Sequence, residues 1–122
     1  MSTPTIDLSY VQGLSGNDPT YMRDIINIYL DTMTPGLEVL KKLIDETDDW
    51  EAIHKQAHFL KSSAGIIKVA DLYNNLVEID MTARSKSNKE RIIELYGILS
   101  ADFSAALPLL IAERDKKKKK AK

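Results

Sequence analysis

The sequence predicts an all-α protein: an antiparallel up-and-down four-helix bundle with short additional N-terminal helices. Three observations lead there. Apolar residues recur at spacings of three and four over most of the chain, the repeat of a helix with one buried face. Proline, glycine, asparagine and aspartate break that repeat at intervals that suit helices joined by short loops. No stretch shows the sustained apolar–polar alternation of a strand.

A short first helix is expected within residues 6–14, closed by Gly13 and the Ser15-Gly16-Asn17 loop. Asp18-Pro19 reads as an N-cap followed by a first-turn proline, because the carboxylate accepts from a free backbone N–H where proline has none to lose. The helix so opened puts Met22, Ile25, Ile26, Tyr29, Leu30 and Met33 on one side. Thr34-Pro35 repeats the start signal, so a further helix is expected to carry Leu37, Leu40, Leu43 and Ile44 and to end near Thr47. Asp48 with Glu51 three residues on resembles a capping box. From about Asp49 to Ile66, a bundle seam runs through Trp50, Ile53, Ala57, Leu60 and Ala64. Val69, Leu72, Leu76, Ile79 and Ala83 repeat it from about Val69 to Arg84. The polar loop Ser85-Lys86-Ser87-Asn88 supplies an N-cap for the last helix, which starts near Lys89 and carries Ile92, Ile93, Leu95, Tyr96, Leu99, Phe103, Leu107, Leu110 and Ile111. Pro108 is expected to kink it or end its regular part. Short connections favour antiparallel neighbours.

The 122 residues suit a single domain, expected over residues 1–115, with a basic disordered tail over 116–122. Cysteine is absent, which excludes disulfides and thiolate metal sites and makes a cytoplasmic location the expectation. The chain does not open on a basic stretch followed by an apolar one, and no apolar run approaches the roughly 20 residues that span a bilayer, so neither export nor a membrane partner is expected. Setting aside the six C-terminal lysines leaves 11 basic residues against 18 acidic ones, a body charge of −7. An acidic body argues against nucleic-acid binding by the fold. The lysine run is read as a solvated tail that complements the C-terminal dipole of the last helix, ahead of a contact with nucleic acid or acidic lipid.

One helix carries the candidate chemistry. At about 100° per residue, the seam of the 49–66 helix centres near Ala57 and Ala64, and His58 falls about 130° away, facing out. Its row neighbours are His54, Lys61 and Ser62, with Gly65 two turns on, and the small residues leave room for another protein to approach the ring. Phe59 is also off the seam. On the next helix, Asp80 lies about 60° from the seam centre. A hairpin turning around residues 67–69 brings it level with His54 or His58. A carboxylate that accepts from imidazole Nδ1–H sets the tautomer and leaves Nε2 as an exposed nucleophile. Lys61 is placed to neutralise an anion there, and Arg84, one turn beyond Asp80, to help.

The run Ala57-His58-Phe59-Leu60-Lys61-Ser62-Ser63-Ala64-Gly65, followed by Leu72, Leu76, Ile79 and Asp80, resembles the signature of histidine-containing phosphotransfer (HPt) domains. That signature reads A-H-x-L-K-G-S, with spaced apolar positions and a later acidic or amide residue. The resemblance covers about residues 53–84. It implies that His58 is the phosphoryl acceptor, that Lys61 stabilises the phosphoryl group and that Asp80 hydrogen-bonds the imidazole. Ser62 stands where the family usually has glycine, small enough to keep access open and able to bond a phosphoryl oxygen. Lys68 replaces a second glycine, and Asp80 is one methylene shorter than the usual glutamate or glutamine. The implied function is a phosphorelay carrier, which takes its group from a receiver-domain aspartyl phosphate and passes it to another receiver aspartate. Receiver domains of response regulators are the implied partners, with a hybrid histidine kinase beside them. No cofactor is implied on this chain, Mg²⁺ is expected on the partner receiver, and neither ATP-dependent kinase activity nor self-association is expected. Docking is expected side-on, over an apolar rim formed by Phe59 and Gly65 with Leu8, Val11 and Met22 of the N-terminal segments.

Other readings of the same residues stand beside this one. His58 alone is also what a solvated surface histidine looks like. His54 and His58, four apart, offer a metal site with Asp80 or Glu51 as third ligand, but Lys55 stands where an H-E-x-x-H motif needs glutamate. His54 by itself reads as a half-buried flank residue, and Asp80 as a partner for Arg84 one turn on. A bundle that binds a response regulator as an adaptor, without transfer, fits the departures at Ser62 and Lys68. The dimerisation helices of histidine kinases also display a histidine, but they are two long helices, and this chain has too many short ones.

Overall fold

In the computed structural model, residues 5–16 and 18–120 are described, the last four of them as backbone alone. They form five helices, α1 (Ser9–Ser15), α2 (Pro19–Glu46), α3 (Trp50–Ala64), α4 (Leu72–Arg84) and α5 (Lys89–Lys120), with two short strands, β1 (Ile6–Asp7) and β2 (Lys68–Val69). The fold is an all-helical bundle. Caps set the starts: Asp18 accepts from Thr20 N–H at 3.0 Å, Asp49 from Ala52 N–H at 3.1 Å and Asn88 from Arg91 N–H at 3.3 Å. The cap of α3 is thus Asp49, one residue after the expected capping box, while exposed Asp48 pairs with Lys89 at 3.1 Å. Gly16 closes α1 in the left-handed region, at φ 59°. Asn17 lies outside the described residues.

Where the sequence predicts two helices divided at Thr34-Pro35, the chain forms one, α2, with Pro35 inside it. A proline inside a helix removes a hydrogen bond to the carbonyl four residues back and crowds that carbonyl. Pro35 and Asp31 are both exposed, so the carbonyl that loses its donor belongs to the water-facing side. The buried residues Met33, Leu37, Leu40 and Ile44 continue in phase across the break. Pro108 follows the same rule. It and Ser104 are exposed, Phe103, Ala106 and Leu110 are buried in phase, and α5 runs past it to Lys120. A continuous buried face outweighs one lost solvent-side bond.

The N-terminus differs as well. Residues 6–7 pair antiparallel with β2, Ile6 opposite Val69 and Asp7 opposite Lys68, and α1 starts only at Ser9. Ala70 N–H donates to the Thr5 carbonyl at 2.7 Å, which ties the N-terminal segment to the α3–α4 connection. A two-residue ladder is too short to show alternation. Helix α4 consequently starts at Leu72, with buried Val69 in the strand before it.

Helices α3 and α5 each pack against both α2 and α4. The predicted seams fill the core, with Ile53, Ala57, Leu60, Leu72, Leu76, Ile79, Ile92 and Leu99 all fully buried. Ile93, expected on the seam, is 51% exposed. By length and composition α5 is long and apolar enough to cross a membrane over Lys89–Lys116, although Glu94 and Asp102 break its apolar run. In the bundle that stretch supplies core residues from Ile92 to Leu110.

Polar links between helices help to hold them in register. Tyr96 Oη donates to the Leu37 carbonyl at 2.7 Å, and Arg91 donates to both Glu78 oxygens, at 2.7 and 3.2 Å. Gln56 Nε2 donates to the Gly36 carbonyl at 2.9 Å, fixing α3 on α2. A Cβ on Gly36 would fall 2.5 Å from Leu60 Cδ2, so any larger residue at that crossing forces the buried Leu60 side chain to shift. Gly36→Val should therefore overpack the crossing and lower stability by about 1–3 kcal/mol, read as a lower urea midpoint. A midpoint equal to that of the parent protein would contradict the contact.

Candidate functional site

Helix α3 sets three basic side chains on one stripe, His54, His58 and Lys61, at steps of four and three. Ala57 and Leu60 turn the helix's apolar face inward, so the neighbouring His58 projects out, with its side chain 62% exposed. From α4, Asp80 follows buried Ile79 into the α3–α4 contact and is 2% exposed, the one buried charged residue among those described.

Four donors converge on that carboxylate. Oδ1 accepts from His54 Nδ1 at 3.2 Å and from Arg84 Nε at 2.9 Å. Oδ2 lies 3.4 Å from His58 Nδ1, a long hydrogen bond, and 3.0 Å from Lys61 Nζ. Each oxygen thus carries one imidazole and one permanent cation. The alternatives drawn from the sequence, Asp80 level with His54 or with His58, are both realised, and the bond to Arg84 coexists with them.

Burial is the largest influence on the Asp80 carboxyl and raises its pKa. Hydrogen bonds and charges from Lys61 and Arg84 together outweigh it and draw the group from the ordinary 3.8 down to about 2. Asp80 is therefore ionised at neutral pH and only accepts. A histidine nitrogen facing it must carry the hydrogen, so a neutral His58 is the Nδ1–H tautomer, with the lone pair on Nε2. No partner of His58 Nε2 is found among the described residues.

The remaining candidates fall in different places. Ser62 is exposed on α3, one turn from His58, and Phe59 beside it is 57% exposed. Gly65 caps α3, and a Cβ there would make only ordinary contacts, at 3.5 Å or more, with the Lys61 carbonyl and the Tyr73 ring. The fold therefore has no steric need of a glycine at that point. Leu8 is half-buried against the core. Val11 and Met22 do not form the expected docking rim: at 0% and 1% exposure they are core residues, because they mark the inner faces of α1 and α2. The exposed apolar side chains of α1 are Tyr10, 58%, and Leu14, 56%. Among the described residues no group of three or more His, Cys, Asp or Glu side chains is arranged to hold a metal ion.

Sequence reasoning set His54 aside as a flank residue. Its side chain is 15% exposed and joins the cluster, with Nε2 also 3.2 Å from Glu51 Oε1. The signal was its four-residue spacing from His58, which any carboxylate level with one ring can share with the other.

The site is thus one open imidazole over a buried carboxylate, with cations beside it, on an all-helical bundle. The chain matches the model of the Hpt domain over residues 24–113 and belongs to that family. Hpt domains act in phosphorelay phosphotransfer in two-component signalling and interact with response-regulator receiver domains. The match takes in His58, Lys61, Asp80 and Arg84 and extends the resemblance read from residues 53–84 over most of the bundle. Comparison with curated proteins and with solved structures returned no match.

The lowered pKa makes Asp80 a pH-dependent tie. Its folded value, about 2, lies below the unfolded 3.8, so its stabilisation is complete above about pH 4 and is lost as pH falls through 2. The difference corresponds to about 2 kcal/mol. Asp80→Asn should lose about that much at pH 7 and close the gap with the parent protein between about pH 4 and 2. Urea midpoints measured across that range check it, and a gap independent of pH would refute it.

Proposed function

We propose that this protein is a phosphoryl carrier whose His58 takes a phosphoryl group from a receiver-domain aspartyl phosphate and gives it to another receiver aspartate. The reading rests above all on the His58 ring, open at Nε2 and backed at Nδ1 by an ionised, buried carboxylate. In the forward step the Nε2 lone pair attacks phosphorus in line. The N–P bond forms, the bond from phosphorus to the aspartyl oxygen breaks, and the receiver carboxylate leaves. The Nδ1 hydrogen stays, so the phosphorylated ring is an imidazolium, and Asp80 faces its positive charge. Lys61, one turn from His58 on α3, and Arg84, one turn beyond Asp80 on α4, lie beside the same carboxylate and neutralise the incoming oxygens, with Ser62 as a further donor. Transfer of this kind depends chiefly on positioning and charge, so the chain needs no nucleotide site and no ATP-dependent kinase activity of its own.

In this reading the four long helices are an antiparallel up-and-down bundle, supported by the way α3 and α5 each pack on both α2 and α4. The receiver docks side-on over Phe59, Gly65 and Leu8, with exposed Tyr10 and Leu14 taking the place of buried Val11 and Met22. The Mg²⁺ of the reaction belongs to the receiver. The protein acts as a monomer in the cytoplasm, and the donor receiver belongs to a response regulator or a hybrid histidine kinase.

His58→Gln keeps a polar side chain on an exposed helical site, so the fold should stand while transfer from a ³²P-labelled receiver domain is abolished. Label in the folded variant would refute the assignment. A bundle that only binds a receiver, as an adaptor, would take up no label even as the parent protein.

A further inference from the structure

We infer that His54 is a positioning residue for His58, acting through Asp80. The inference rests on the reading of His58 as the phosphoryl acceptor and deepens it. An aspartate carboxylate turns about its last torsion with a broad, two-fold profile, so the torsion itself does not select which oxygen faces a given partner. In this site Oδ2 must face His58 to hold the Nδ1–H tautomer, yet that contact is the longest of the four, at 3.4 Å. The shorter contacts on Oδ1, from His54 Nδ1 and Arg84 Nε, hold the carboxylate's other end.

Of those two, His54 is the better fixed. Its side chain is 15% exposed against 54% for Arg84, and on the far side its Nε2 lies 3.2 Å from Glu51 Oε1. Arg84 comes from the same helix as Asp80, four residues on, so it moves with the aspartate. His54 comes from α3, as His58 does, one turn away. Lys61, also from α3, meets Oδ2 at 3.0 Å, and a bond from His54 to Oδ1 fixes the carboxylate's other end to the same helix, so that Oδ2 is presented to the acceptor ring. The two imidazoles divide the labour: the buried one holds the aspartate, and the open one reacts.

Side-chain geometry supplies a specific test. Asparagine places an amide nitrogen where histidine has Nδ1, so His54→Asn keeps a donor to Asp80. Glutamine places its nitrogen where histidine has Nε2, so His54→Gln keeps no donor towards Asp80. His54→Leu removes both nitrogens and keeps apolar bulk in a mostly buried site. Two readouts apply. The ¹⁵N shifts of the His58 ring report its tautomer without any transfer, and the rate of phosphoryl uptake from a ³²P-labelled receiver reports function. His54→Leu and His54→Gln should populate the Nε2–H tautomer of His58 and slow uptake about tenfold, the effect of one hydrogen bond to a charged group. His54→Asn should hold the parent tautomer and stay within about twofold in rate. Parent-like tautomer and rate in His54→Leu would overturn the inference. So would His54→Asn falling as far as His54→Leu, which is the result of a merely structural role. Failure of the underlying reading looks different: His58→Gln would then still take up label.

Discussion

A carboxylate taken out of water costs several kcal/mol unless charged and hydrogen-bonding partners replace the solvent it loses. Asp80 is such a group, and the α3–α4 pair is organised around it. Three of its four partners, His54, His58 and Lys61, stand on one stripe of α3, and the fourth, Arg84, follows on its own helix. Sliding α3 along α4 by a turn would break the set and leave Arg84, which moves with Asp80, and only part of the α3 stripe to compensate the charge. The demand for compensation therefore favours one register of the two helices at the level of His54 and His58.

Packing holds the frame in which those partners meet. Ile53, Ala57, Leu60 and Ala64 turn one side of α3 into the core, and that choice alone directs His58 to water. On the other side of α3, Gly36 admits Leu60 and its carbonyl accepts from Gln56, so the helix is clamped between α2 and α4. The β1–β2 ladder draws the N-terminal segment to the connection that follows α3, next to the end of the helix that bears Gly65.

The same cations serve the fold and the charge balance of the site. Lys61 and Arg84 hold Asp80 ionised against its burial. An ionised Asp80 in turn dictates where the hydrogen on His58 sits. The tautomer of an exposed ring is thus set by charges one turn away along α3 and α4, and the lone pair is left on the open nitrogen.

Much of this was legible in the chain alone. Spacings of three and four determined the helices and their buried faces, because burial of a stripe follows from helical geometry whatever the neighbours are. The same arithmetic put His58 outside and Asp80 on the edge of the next helix, and the run from Ala57 to Gly65 pointed to the family that the domain match bears out. Local signals misled where long-range packing overruled them. Thr34-Pro35 looks like a start, yet the buried face from Met33 to Ile44 keeps α2 whole, and the two-residue ladder at Ile6–Asp7 exists only because β2 is folded against it. Val11 and Met22 are apolar residues near a terminus, a description that fits a rim and a core equally. Only the tertiary structure decided that they are core, that both histidines share one carboxylate, and which oxygen each one takes. Those are matters of register between helices, and register is set by contacts between residues distant in sequence, which periodicity along a single helix does not encode.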